Sequence, residues 1–281
     1  MPWQAPKLND LEVVAVSMNP SLFFDLADWG HQPLFDENKP VWQALAGLKA
    51  YMNAHGYQEC FATLAASGPL TRTLVLHDGS LLDGTECAIE FGDATKGTLR
   101  VTRAGTLLDG ASVLMAGAVL VGSRFRFGHG VLVESGAFLK EPAIVGDQTE
   151  VRQGAYLRGY CLVGKRCVVG HTTEVKHSIL LDDAKAGHFA YLGDSILGNH
   201  VNLGAGTKLA NLRFQSGEVE VKTADGPMPT GLKKLGGILG DRCQTGCNSV
   251  TNPGTVLGKK CVLLPNTTAP SGYHPANMLI R

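Results

Sequence analysis

The chain has 281 residues, and its 25 Lys and Arg cancel 25 Asp and Glu, which argues against a general nucleic-acid or anionic-membrane binder. With 44% hydrophobic and 18% charged residues it can bury a sizeable core, so it is not a disordered chain. Its 35 glycines far exceed the usual ~7% while its 13 prolines are ordinary, which excludes collagen and low-complexity readings and points to repeated tight turns. The leading MPWQAPKLNDLEVV lacks the basic-then-apolar layout of a secretory signal. No run approaches the roughly 20 apolar residues that cross a bilayer. The 7 cysteines form no CxxC pair, which fits reduced thiols rather than disulfides or a zinc site. The expectation is a cytoplasmic protein without a metal centre.

Residues 1–92 show no repeat and are expected to cap and extend the repetitive region beyond them. SLFFDLADWG suggests a short helix, and VWQALAGLKAYMNAHGY sets Trp42, Leu45, Leu48 and Met52 at amphipathic spacing. TRTLVLH and CAIEFG have the alternation of strands. From residue 93 to 281 the text repeats in sixes. Val121, Phe127, Val133, Leu139, Val145, Val151, Leu157, Val163, Val169, Val175 and Leu181 are all large and apolar. Chance gives such a run about once in ten thousand per frame, so it is a repeat. Four residues after the apolar position a small side chain recurs, as at Ala137, Ala143, Thr149, Ala155, Cys161, Cys167 and Thr173. A period of six fits neither a helix nor a lone strand. It fits short parallel strands, three per coil, turning at tight corners, the architecture of a left-handed parallel β-helix. The repeats begin weakly near Gly97 and run to about Pro270. Cys161, Cys167, Cys243 and Cys261 fall on the small inward corner as compact hydrophobes.

Two interruptions break the regularity. After Leu181 the steps to Ala186, Leu192 and Leu197 are irregular, and residues 214–236 hold no hexad apolar residue and read as an extruded loop. Residues eighteen apart stack on neighbouring coils, so Lys140, Arg158 and Lys176 form a basic column. Such a column is either a solvated face or a phosphate site. Glu134 and Arg152, also eighteen apart, read as a cross-rung ion pair. His188 lies in the first irregular stretch with Tyr191 close by, followed by Asn202 and Asn211. An imidazole suits proton removal near neutrality, while the amides equally suit loop caps or ladders.

The segment KAGHFAYLGDSILGNHVNLGAGTKLANLRF resembles the signature of the acetyltransferase domain of bifunctional N-acetylglucosamine-1-phosphate uridyltransferases, which reads AGHLTYLGD, then VNIGAGT and N. It is especially similar to the archaeal sugar-1-phosphate branch, which TGLKKLGGILGDRCQTGCNSVTNPG also follows. The likeness extends over roughly residues 100–270. It implies that His188 deprotonates the sugar amine and that Arg158 and Lys176 hold the sugar phosphate. It further implies that Tyr191 and Asn202 contact the sugar and that Asn211 lies near the acetyl group. By the same likeness Lys233 or Lys234 reaches across from a neighbouring chain. Cys247 stands where a serine meets the thioester, and Arg281 matches a terminal arginine contacting coenzyme A.

The resemblance therefore implies N-acetyl transfer from acetyl-CoA to an amino-sugar 1-phosphate, foremost glucosamine 1-phosphate, in a homotrimer, with a backbone N–H near Gly206 or Cys247 as oxyanion donor. Acylation of another phosphorylated or nucleotide-linked amino sugar, or a non-catalytic sugar-phosphate-binding scaffold, are the alternatives. Neither nucleic acid nor membrane is an expected partner. The 92 leading residues are too few for the uridyltransferase domain and contain no LxxGxGTRL-like phosphate loop, so pyrophosphorylase activity is not expected.

Overall fold

The computed structural model describes residues 18–62, 64 and 68–281. The leading segment read for a signal lies outside the described residues. The repeats build a parallel β-solenoid. Among the described residues its three sheets hold eleven, eight and eight strands, stacked coil upon coil. Face one starts at Ser112–Leu114 and ends at Leu279–Ile280, face two runs from Val119–Val121 to Thr268–Ala269, and face three from Phe125–Phe127 to Gly272–His274. In each three-residue strand of face two the central side chain points inward and its two neighbours point out. Leu139 thus stacks on Leu157, and Val175 on Leu192, in a fully buried core. Cys161, Cys167, Cys243 and Cys261 sit in that core as expected, all fully buried. Burial pushes the Cys161 thiol up to about 12, so it packs as a neutral group.

The coils begin and end later than the repeat suggested. Arg100–Arg103, expected near the first weak repeat, instead pairs antiparallel with Cys87–Glu90 and Thr106–Leu107 in a small separate sheet. The last coil reaches Ile280 rather than Pro270. The frame also slips at one rung. Leu180, not Leu181, pairs with Val163 and faces the core. Leu181 points outward, because the coil there is one residue short.

The segment before residue 93 does two jobs. The strand β1 (Leu74–His77) forms a hairpin with β2 (Ser80–Asp83) and pairs antiparallel with Ser112–Leu114, closing the end of face one. Residues 18–57 instead run lengthwise along face three. Its outward side chains Ile144, Leu162, Ile179, Ile196, Ile238 and Val256 form an apolar stripe. The helix α1 (Gln43–Ala54) buries Leu45, Leu48 and Met52 toward that stripe, as their spacing predicts. The expected helix in SLFFDLADWG is reduced to one 3₁₀ turn, Pro20–Leu22, because Phe23, Phe24 and Trp29 must all turn into this interface. Asp241 fastens the strap: its carboxylate accepts from Asp25 N at 2.7 Å and from Asn199 N at 2.7 Å.

The 214–236 segment is more ordered than an extruded loop. It leaves and rejoins at one corner, so that 42 positions separate Ile196 from its partner Ile238, against 17 between Ile179 and Ile196. Glu220–Thr223 and Gly226–Pro229 pair as an antiparallel hairpin. Val219, Val221 and Leu235 are buried in the same cluster as the strap. The Glu134–Arg152 pair does not form. Arg152 binds Glu150 at 2.7 Å, and Glu134 accepts from the Gln153 backbone at 2.8 Å. Glu150 lies two residues away on the same side of the strand, nearer than a cross-rung partner. No helix among the described residues is long and apolar enough to cross a membrane.

Candidate active site

The local geometry begins with a missing residue. After a first coil of nineteen the repeat is eighteen residues, as Tyr156 pairs with Phe138. From the next coil the offset is seventeen: Glu174 pairs with Tyr191 and Cys161 with Ser178. The loss falls at the corner between faces two and three, where Lys176-His177-Ser178 replaces the longer Arg158-Gly159-Tyr160-Cys161. The tight corner needs a left-handed residue, and His177 and Asp194 fill that place at φ 47 and 48. Their side chains consequently stack one above the other.

Face two carries two outward columns. One holds Phe138, Tyr156, Glu174 and Tyr191, and the other Lys140 and Arg158 with Lys176 leading to Gly193. The basic column exists, but every cation in it is partnered. Lys140 lies over the Tyr156 ring at 5.7 Å, and Arg158 binds Glu174 at 2.6 Å. Lys176 lies 3.8 Å from Asp194. Interleaved carboxylates remove most of the expected like-charge repulsion.

Asp194 is the hub of this edge. One oxygen meets His177 Nδ1 at 2.8 Å, and the other accepts from Asn211 Nδ2 at 2.5 Å. Burial pushes the Asp194 carboxyl up, yet the bonds from His177 and Asn211 and the charge of Lys176 outweigh it, so the group is held below the ordinary carboxylate value. The Tyr191 hydroxyl donates to Asn211 Oδ1 at 3.4 Å. Burial first, then the charges of Glu174 and Asp194, raise the Tyr191 phenol. Gly193 makes this convergence possible. A Cβ there would stand 2.5 Å from Asn211 Nδ2 and 2.6 Å from the Tyr191 hydroxyl.

One chain thus brings Arg158, Lys176, Tyr191 and Asn211 together on one edge of face two. The roots of Lys233 and Lys234 join them, since the following Leu235 N–H donates to the Asn211 carbonyl at 3.2 Å. Both lysines are exposed. His188 is not in this group. It ends the strand Lys185–His188 of face one, at the opposite edge of face two, with an exposed side chain. Cys247 is exposed at the same corner two coils on, and Asn202 is exposed on face one between Lys185 and Gln244. Arg281 is exposed after the last strand of face one. The three cations and the imidazole therefore do not converge within a single chain. Gly206 N already donates to the His188 carbonyl at 3.0 Å, which removes it as an oxyanion donor.

Sequence reasoning missed His177, Glu174, Gly193 and Asp194. The irregular steps after Leu181 were their signal.

Similarity to known proteins points the same way. A family model described as the GMPPB C-terminal domain matches residues 139–225. A bifunctional sugar-1-phosphate nucleotidylyltransferase/acetyltransferase of Sulfurisphaera tokodaii is 35% identical over 151 residues, 47% of this chain and 38% of that protein. The bifunctional protein GlmU of Methanocaldococcus jannaschii is 38% identical over 107 residues, 38% of this chain and 26% of its own length. GlmU of a Cyanothece species is 31% identical over 163 residues, 55% of this chain and 32% of its own length. The chain therefore spans about a quarter to two-fifths of the length of these relatives. The resemblance read from the hexad segment is borne out, and the Sulfurisphaera relative is a transferase by name.

Proposed function

We propose that the protein transfers an acetyl group from acetyl-CoA to the amine of an amino-sugar 1-phosphate, with glucosamine 1-phosphate as the first acceptor to test. The observation that carries this reading is the edge of face two. Two cations with donors to spare lie beside a hydroxyl and an amide that converge over Gly193. Arg158 and Lys176 bind the phosphate, and Tyr191 and Asn211 orient the sugar. The amine nitrogen attacks the thioester carbonyl carbon, its proton passes to His188, and the carbon–sulfur bond breaks to release the coenzyme A thiolate. The Cys247 backbone N–H is the remaining candidate oxyanion donor.

Because His188 and Cys247 occupy the far edge of the face, the site closes between chains. A homotrimer brings one chain's corner against another's cation-bearing edge, with Asn202, Lys233 or Lys234 and Arg281 completing the contacts to sugar and coenzyme A. Sedimentation velocity is expected to give a trimer; a stable monomer that still acetylates overturns the shared site. The activity itself is tested by thiol release from acetyl-CoA with glucosamine 1-phosphate, galactosamine 1-phosphate or no acceptor. Release is expected with the first, and Arg158→Ala should raise its KM about tenfold or more. Release with a different acceptor moves the reading to another amino sugar, and none with any acceptor leaves a binding scaffold.

A further inference from the structure

We propose that Asp194, itself held by His177, is a positioning residue that fixes which end of the Asn211 amide faces Tyr191 and which donors Lys176 keeps for a ligand. An ionised carboxylate only accepts hydrogen bonds. The Asn211 atom 2.5 Å from Asp194 must therefore be the amide nitrogen, and His177 Nδ1 must carry a proton to bond Asp194 at 2.8 Å. The Asn211 oxygen is then turned to Tyr191, whose hydroxyl donates to it at 3.4 Å. That leaves the Tyr191 lone pairs and the second Asn211 N–H for a sugar.

The same arrangement governs Lys176. Each Asp194 oxygen already accepts one hydrogen bond, and the ammonium stands off at 3.8 Å, beyond hydrogen-bond distance. Asp194 thus lowers the energy of the cation without capturing it. His177 carries the cost. Its Nε2 is buried without a partner, a loss that an apolar side chain would not suffer. What the imidazole returns is a donor that, with the Asn211 amide, holds Asp194 in place. Tyr160, whose ring lies edge-on to His177 at 6.3 Å, packs beside it.

The kinetic part of this inference rests on the acetyl-transfer reading; the structural part does not. In the full-length protein, Asp194→Asn can present oxygen or nitrogen to Asn211, so the amide is free to turn its N–H toward Tyr191. A donor there stabilises the phenolate. The Tyr191 titration, read at 295 nm by difference from Tyr191→Phe, should move down by about one unit or more. The acceptor KM should rise at least about tenfold while the acetyl-CoA KM and the melting temperature hold. Asp194→Gly is the second variant, since glycine suits the left-handed corner while lacking the carboxylate. An unmoved Tyr191 titration in both variants overturns the proposal, as does an equal loss on both substrates. If the native protein transfers no acetyl group, the functional reading fails and the phenol titration alone decides the positioning role.

Discussion

Replacing His188 by alanine is expected to lower kcat about 100-fold or more, with little change in the acceptor KM. The amine of an amino sugar is protonated or weakly nucleophilic until a base removes its proton, and a positioned base contributes roughly 10²–10⁴ in rate. His188 stands at the corner shared with Cys247, one coil after His171, and its imidazole is exposed while its backbone carbonyl is fixed by Gly206 N–H. The substitution therefore removes a solvent-facing ring and leaves the ladder intact. Steady-state thiol release at saturating acceptor reads the effect, with the melting curve as control. A variant that turns over at the native rate assigns the base to another residue. A variant that loses only acceptor affinity makes His188 a binding group.

The second large effect concerns the rung on which His188 is carried. Gly170→Ala should destabilise the protein by about 3 kcal/mol or more, whereas Gly187→Ala, one coil on, should be nearly neutral. The two glycines face each other in adjacent strands, yet their surroundings differ. A Cβ on Gly170 would meet the Gly187 carbonyl oxygen at 1.8 Å and its carbonyl carbon at 2.2 Å. Those are backbone atoms and cannot swing aside. A Cβ on Gly187 meets nothing within 4 Å. The strands must part to admit the methyl group, and the His171–His188 register beside it moves with them. A fall in melting temperature of roughly 6–12 °C for Gly170→Ala, with lost activity, is the expected reading. Equal melting of the two variants contradicts the close approach.

The inward rungs were legible because each coil repeats one demand, a large apolar side chain at every sixth residue. The strap was not, because its reason lies on the outside of face three. There the text runs apolar at three consecutive positions, as in Ala143-Ile144-Val145 and Cys161-Leu162-Val163. The middle residue of each needs a cover, which residues 18–57 supply. Ion pairing failed for a related reason. Stacking by eighteen predicts neighbours across rungs, but Glu150 reaches Arg152 along its own strand. Of the candidate site, Arg158, Lys176, Tyr191 and Asn211 were found as residues and the structure joins them. His188 and Asn202 share the irregular text but lie on another face, since a corner separates neighbours in sequence. Asp194 and His177 stayed hidden because their importance comes from a deleted residue rather than from their own type.

The hairpin that springs from the shortened corner has a mechanical consequence for its two lysines. Leu232 O accepts from Val219 N at 2.8 Å, and Leu235 N is tied to Asn211, so the dipeptide between them is pinned at both ends. Its backbone has already surrendered its freedom when the hairpin folds. A second chain that meets this arm finds a stiff outrigger on which only two butylammonium tips still swing. Little backbone freedom remains to be lost on contact, and the reach of each charge is set by one side-chain length rather than by the sweep of a loop.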